Sequence, residues 1–174
     1  RIKDKSLEFA EEEIIMGLTT FNDNVKHVYF QQNPNNMVLL NYENYRPSGG
    51  TALLDAVGET ITEIERQIAA SLIPTTAIIV ILTDGYENAS KKYNLVNIRN
   101  MISKLEETGK WTFSFIGCDF DAANISEQLN IRKENVRNYS KRNYGLMSKE
   151  VDSSFMRYAE SKSNGSFGLK NFHF

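Results

Sequence analysis

A single cysteine, Cys118, stands in the whole chain, and one thiol cannot build an internal disulfide framework. That suits a reducing compartment, and a cytoplasmic location is the expectation. Long apolar runs are missing too. The longest, around Ala77–Leu82, has the length of a strand, so no membrane span is expected. No signal peptide is visible. A basic surplus is also lacking: 20 Lys and Arg against 22 Asp and Glu leave a formal net charge of −2. A protein that neutralises many phosphates needs such a surplus, so nucleic acid is not an expected partner. Histidine is scarce as well. His27 falls on an expected exposed strand and His173 in the tail, which leaves no nucleophile–histidine pairing. What is present is an ordinary globular composition, 41% apolar and 24% charged, which excludes disorder as a description of the whole chain. The 174 residues suit one domain with one core.

Periodicity divides the chain into alternating strands and helices. Ile14 to Phe21 is a short β-prone run that ends at the turn cluster Asn22-Asp23-Asn24. Val25 to Gln32 follows, and the two read as a β-hairpin. Asn33-Pro34-Asn35-Asn36 breaks the pattern, Met37 to Tyr45 reads as irregular, and Arg46 to Gly50 is a loop. Leu54, Val57, Ile61, Ile64 and Ile68 step by three and four, the signature of a helix with one apolar face. Ala77 to Leu82 is apolar without alternation, as in a strand buried on both faces of a parallel sheet. A second amphipathic helix runs through Leu95, Ile98, Met101, Ile102 and Leu105 and ends near Gly109. Trp111 to Gly117 is another buried strand. Asp121 to Leu129 reads as a helix, with Asp121 as N-cap, Asn135 to Ser140 as a short strand, and Met147, Val151, Phe155 and Tyr158 as a last helix. Ile2 to Glu12 looks helical, yet meets the first strand almost without a breaker. Either the junction is tight or sequence is missing there. The expected organisation is one α/β domain over residues 1–160, with a parallel sheet and helices on both faces, and a tail over 161–174. That tail is read either as a loose terminus or as an extra strand or packed extension.

Two segments fall where such a sheet carries its chemistry, at the carboxyl ends of strands. One is Ser48-Gly49-Gly50-Thr51, ahead of a helix; the other is Thr83-Asp84-Gly85, behind a buried strand. A hydroxyl and a carboxylate are hard oxygen donors, suited to Mg²⁺, Mn²⁺ or Ca²⁺. Each residue has a plainer reading. Thr51 can be an N-cap, Asp84-Gly85 a turn, and Asp55 a helix-surface carboxylate in preference to one that supports the metal ligands from behind. Asp119 and Asp121 fit turn and capping roles, Cys118 a small residue near the sheet edge, and Trp111 the core.

Taken together, Gly49-Gly50-Thr51-Ala52-Leu53-Leu54-Asp55-Ala56-Val57-Gly58 and Ile81-Leu82-Thr83-Asp84-Gly85-Tyr86-Glu87-Asn88 resemble the von Willebrand factor A family, especially its stand-alone bacterial members. The resemblance covers roughly Ile14 to Ser140. It implies a Rossmann-like, mostly parallel sheet with one antiparallel edge strand. It also implies a metal-ion-dependent adhesion site built from three loops. Thr51 matches the Thr of the second loop and Asp84 the Asp of the third, with Gly49, Gly50 and Gly85 as ligand-binding neighbours. The first loop's Asp-x-Ser-x-Ser motif is absent from these residues. Asp152-Ser153-Ser154 does not match, because Met156 stands where the last Ser would be. The strand bearing that motif is therefore expected to be missing from the N-terminal side of the domain.

The function expected from the resemblance is a non-enzymatic binding module. A divalent cation would keep one open coordination position for a carboxylate of a protein partner. Two alternatives stay open: a structural scaffold with a degenerate metal site, and a Rossmann-like enzyme that cradles phosphate at Ser48–Thr51. Against the enzyme, no Gly-x-x-x-x-Gly-Lys, Gly-x-Gly-x-x-Gly or Asp-x-Asp motif occurs.

Overall fold

The computed structural model describes residues 13–37, 40–43, 45–118 and 122–163. Among them the chain is α/β and Rossmann-like. The order is β1 (Met16–Phe21), β2 (Val25–Gln32), α1 (Leu53–Ala70), β3 (Ala77–Thr83), α2 (Leu95–Glu107), β4 (Trp111–Cys118), α3 (Ala122–Gln128), β5 (Val136–Tyr139) and α4 (Tyr144–Ser163). The elements that periodicity marked from Ile14 onward are there, with ends shifted by up to five residues. The expected helix at Ile2–Glu12, the Asp121 cap and most of the tail lie outside the described residues.

Strand β4 is the centre of the body. It pairs in parallel with β3 on one side and β5 on the other, Ile79 opposite Phe113 and Phe115 opposite Val136. All eight of its residues are buried, the polar Thr112 and Ser114 included, as the reading of Trp111 to Gly117 as a buried strand expects. Its two faces meet different helices. Trp111, Phe113 and Phe115 pack with Ile79 and Ile81 against Leu53, Val57 and Ile61 of α1 and Ile98 and Ile102 of α2. Ile116 and Cys118 face the other way, toward Tyr139 of β5 and Met147 of α4. Phe113, Ile61, Ile98 and Ile102 are fully sequestered, each stabilising the fold by about 1.5–3 kcal/mol through removal from water.

Helix termini follow local chemistry. Asn94 caps α2 by accepting from the Asn97 N–H at 2.9 Å, and the Asn97 side chain answers the Asn94 N–H. Behind α2, Gly109 takes a positive φ of 71° and closes the helix.

Two features depart from the sequence reading. Among the described residues no strand of the hairpin is hydrogen-bonded to the parallel sheet. β1 and β2 form their own two-stranded antiparallel sheet, and β3-β4-β5 a second one. Between β1 and β3 lies a cavity of about 770 Å³ instead of a backbone ladder. Helix α1 ties the hairpin to the body through Thr60 Oγ1, which donates to Thr19 Oγ1 at 3.1 Å, and Phe21 packs against the main core. The second departure is at β3, which is covered on one face only. Ala77, Ile79 and Ile81 are buried, whereas Val80 and Leu82 are 40% and 42% exposed. On that face α4 packs through Met147 and Val151 against Ile116 and Cys118 of β4 and Tyr139 of β5.

Candidate functional site

Strands β1 and β3 and the start of α1 meet at one end of the molecule. The turn after β1 is closed by Asn24 N–H donating to Asn22 Oδ1 at 2.9 Å. The carbonyl of Asn22 then accepts from Ala52 N–H at 2.7 Å, so the turn is fastened directly to the entrance of α1. The loop after β3 is fastened there too. Thr51 N–H donates to Asn88 Oδ1 at 2.8 Å, and Asn88 N–H donates to the Thr51 carbonyl at 3.1 Å. Residues far apart in sequence, Asp23, Thr51, Asp84 and Asn88, thereby share one edge of the fold.

Thr51 and Asp84 line the same cavity, at the end of β3. Thr51 does not cap α1. The N-cap position is Ala52, without a side-chain cap. The caps come from the loop behind β3 instead: Leu54 N–H donates to Glu87 Oε2 at 2.9 Å and Asp55 N–H to Ser90 Oγ at 3.0 Å. The Thr51 hydroxyl is thus released from the plainest of its structural roles and sits against Gly85.

Gly49, Gly50 and Gly85 each let a polar group come close. A Cβ built on Gly85 would stand 2.7 Å from Thr51 Oγ1. One on Gly50 would stand 2.7 Å from Asp23 Oδ1 and 2.8 Å from Asn88 Oδ1. Gly49 adopts φ +84°, and its Cβ would collide with Asp23 Oδ2, so both its backbone and its surroundings demand glycine.

Asp55 is corrected. It is not a surface carboxylate but is 6% exposed. Its oxygens accept from the N–H groups of Lys91 at 2.8 Å, Lys92 at 2.9 Å and Tyr93 at 2.9 Å. Burial pushes this carboxyl up. The three N–H donors and the nearby Lys92 charge outweigh it and hold the group below the ordinary carboxylate range. Glu87 is its counterpart from the other side. It accepts from Ala89 N–H at 3.0 Å, Ser90 N–H at 2.8 Å and Ser90 Oγ at 2.7 Å besides Leu54 N–H. Two carboxylates therefore interlock α1 with the 87–93 loop, each reaching across to the other's backbone. Sequence reasoning did not single out Glu87 or Asp23. For Asp23 one signal was available, an acidic turn directly behind a strand on the ligand-binding edge.

The remaining candidates serve the fold. Trp111 is core, 5% exposed, as its place at the start of β4 suggests. Cys118 is buried beside Ile116, Tyr139 and Met147. His27 is exposed on β2, with Nδ1 3.0 Å from Thr19 Oγ1 and Nε2 3.8 Å from Glu59. Asp119, Asp121 and His173 lie outside the described residues. Among those described, no three His, Cys, Asp or Glu side chains converge as a metal site, and no helix is long and apolar enough to cross a membrane. No family model matches the chain, and no curated protein matches it.

Proposed function

We propose that this chain is a binding module of the von Willebrand factor A type. In this reading Thr51 and Asp84 offer oxygens to a divalent cation, Mg²⁺ or else Mn²⁺ or Ca²⁺, and a carboxylate of a protein partner fills an open coordination position. One observation carries it: Thr51 and Asp84 line one cavity at the carboxyl edge of a parallel strand, while capping of the neighbouring helix is delegated to Glu87 and Ser90. Two hard oxygen donors are few. They fit a cation such as Mg²⁺, which usually keeps several waters and takes only one or two protein carboxylates. Asp23, beside Gly50, adds negative charge to the same edge. Gly85 supports the reading by leaving room against the Thr51 hydroxyl.

The phosphate-handling alternative has less room. Four N–H groups at the start of α1 are already occupied: Thr51 by Asn88, Ala52 by Asn22, Leu54 by Glu87 and Asp55 by Ser90. The scaffold alternative shares the geometry and differs only in affinity for metal.

Mn²⁺ titration followed by paramagnetic broadening of backbone amide signals tests the proposal, because it detects weak sites. Broadening centred on Thr51 and Asp84 is expected, lost in Asp84→Ala and in Thr51→Val, with circular dichroism unchanged in both. Spectra that stay unbroadened at those amides assign the chain to the scaffold alternative. Broadening that survives both substitutions places the cation elsewhere.

A further inference from the structure

A second cleft, of about 410 Å³, lies beside α2 and is lined by Lys92, Tyr93, Asn97, Asn100, Met101 and Lys104. Small ligands are held in spaces of about 300–1,000 Å³. The cleft shares no lining residue with the cavity of Thr51 and Asp84. Its helical wall is one face of α2, since Asn97, Asn100, Met101 and Lys104 follow one another at steps of three and four.

The remaining wall is the Tyr93 ring, and that ring is held in place. A Cβ on Gly58 would stand 2.7 Å from Cδ1, Cδ2 and Cε2 alike, so the backbone of α1 lies over one face of the ring. The Tyr93 N–H is fixed by Asp55 at 2.9 Å. The Tyr93 hydroxyl sits 3.2 Å from Thr62 Oγ1, whose own proton goes to the Gly58 carbonyl at 2.8 Å. A clamped aromatic ring loses little freedom when a ligand arrives. Together with the polarizable thioether of Met101 it suits a flat, unsaturated ligand.

The polar groups define what that ligand carries. Among the described residues no carboxylate lines the cleft, although the chain has a net charge of −2. Lys92 is shared with Glu59 at 2.7 Å. The Lys104 ammonium and the Asn100 carboxamide have no hydrogen bond or ion pair among the described residues. A carboxamide offers a donor and an acceptor side by side, the pattern that matches the N6 and N7 edge of adenine. Asn97 accepts from the Asn94 N–H through its oxygen, which leaves its amide hydrogens to donate. Lys104 stands one helical turn, about 6 Å, beyond Asn100. Ring platform, carboxamide and cation therefore follow in the order base, base edge and phosphate.

We propose that this cleft binds an adenine nucleoside monophosphate. Tyr93 stacks on the base, as aromatic side chains do on any nucleobase. Asn100 reads the base edge, and the single unpaired ammonium of Lys104 meets the single phosphate. No divalent cation takes part, so the site stands apart from the cation reading.

The test uses the 174-residue chain with EDTA present and follows backbone amide shifts by NMR during titration with AMP, adenosine or inorganic phosphate. AMP should shift the amides of residues 92–104 saturably, with a Kd of about 1 mM or below. Adenosine should move the same amides but bind several-fold more weakly. Lys104→Glu should weaken AMP by about fivefold or more and leave adenosine unchanged. Asn100→Ala should weaken both. Both side chains are exposed, and an unchanged circular dichroism spectrum verifies the fold of each variant. Absence of saturable shifts at these amides with AMP up to about 10 mM overturns the proposal. So does inorganic phosphate that shifts them as strongly as AMP, or AMP that keeps its affinity in either variant. None of these outcomes bears on Mn²⁺ broadening at Thr51 and Asp84.

Discussion

Asp55 shows how much one side chain can fix at long range. Its carboxylate accepts three backbone N–H groups from Lys91, Lys92 and Tyr93, a loop more than thirty positions away in sequence. Substituting Asn keeps the size but turns one acceptor atom into a donor that faces N–H groups. Asp55→Asn should cost about 2–3 kcal/mol at neutral pH, the range for leaving buried donors unsatisfied. The pH dependence has a definite sign. The folded carboxyl is held below its ordinary value, so its contribution is complete above the unfolded pKa, near 3.9 for a free Asp. It is lost as pH falls through the lower folded value. Urea unfolding of both proteins from pH 7 downward should therefore show their difference in stability shrinking below about pH 4. A difference that stays constant would mean that the charge of Asp55 is not what the loop depends on.

Helix α1 is the element through which most of the site is arranged, and one glycine on it has a packing role that outweighs helix propensity. A Cβ on Gly58 would lie 2.7 Å from three atoms of the Tyr93 ring, and the Tyr93 N–H is itself held by Asp55. Alanine is the better helix former by about 1 kcal/mol, whereas overpacking of this kind costs about 1–3 kcal/mol. Gly58→Ala should therefore destabilise. In a Tyr93→Ala background the same change should become neutral or stabilising, as a double-mutant cycle in urea will show. At this scale the sequence was highly legible. Leu54, Val57, Ile61, Ile64 and Ile68 named the helix, and Trp111 to Gly117 named a buried strand. What escaped it depends on contacts between distant segments. That Ala52 rather than Thr51 precedes the helix, and that Glu87 and Ser90 cap it, follows from how the 87–93 loop lies across α1. Local spacing carries no record of that. The same limit hid the depth of Asp55, since its period on the helix is shared by residues that meet a loop and residues that meet water.

For the molecule as a whole, the division into a hairpin and a three-stranded body predicts uneven stability. β4 is buried along its length and paired on both sides, while the hairpin leans on α1 through Thr19, Thr60 and a few apolar side chains. Native-state hydrogen exchange should show the β2-facing amides of β1 opening at markedly lower free energy than those of β4. Equal protection would mean that hairpin and body unfold as one unit. The sequence could foresee five strands but not their grouping: pairing partners are chosen across space, and an apolar run such as Ala77 to Leu82 reads the same whether one face or both are covered. The edges of β1 and β3 have one further consequence, for colloidal behaviour. Among the described residues no strand lies on them, and beside the exposed Val80 and Leu82 such edges are templates for copies of the same chain. Changes that shield Val80 and Leu82 should therefore also keep the molecule dispersed.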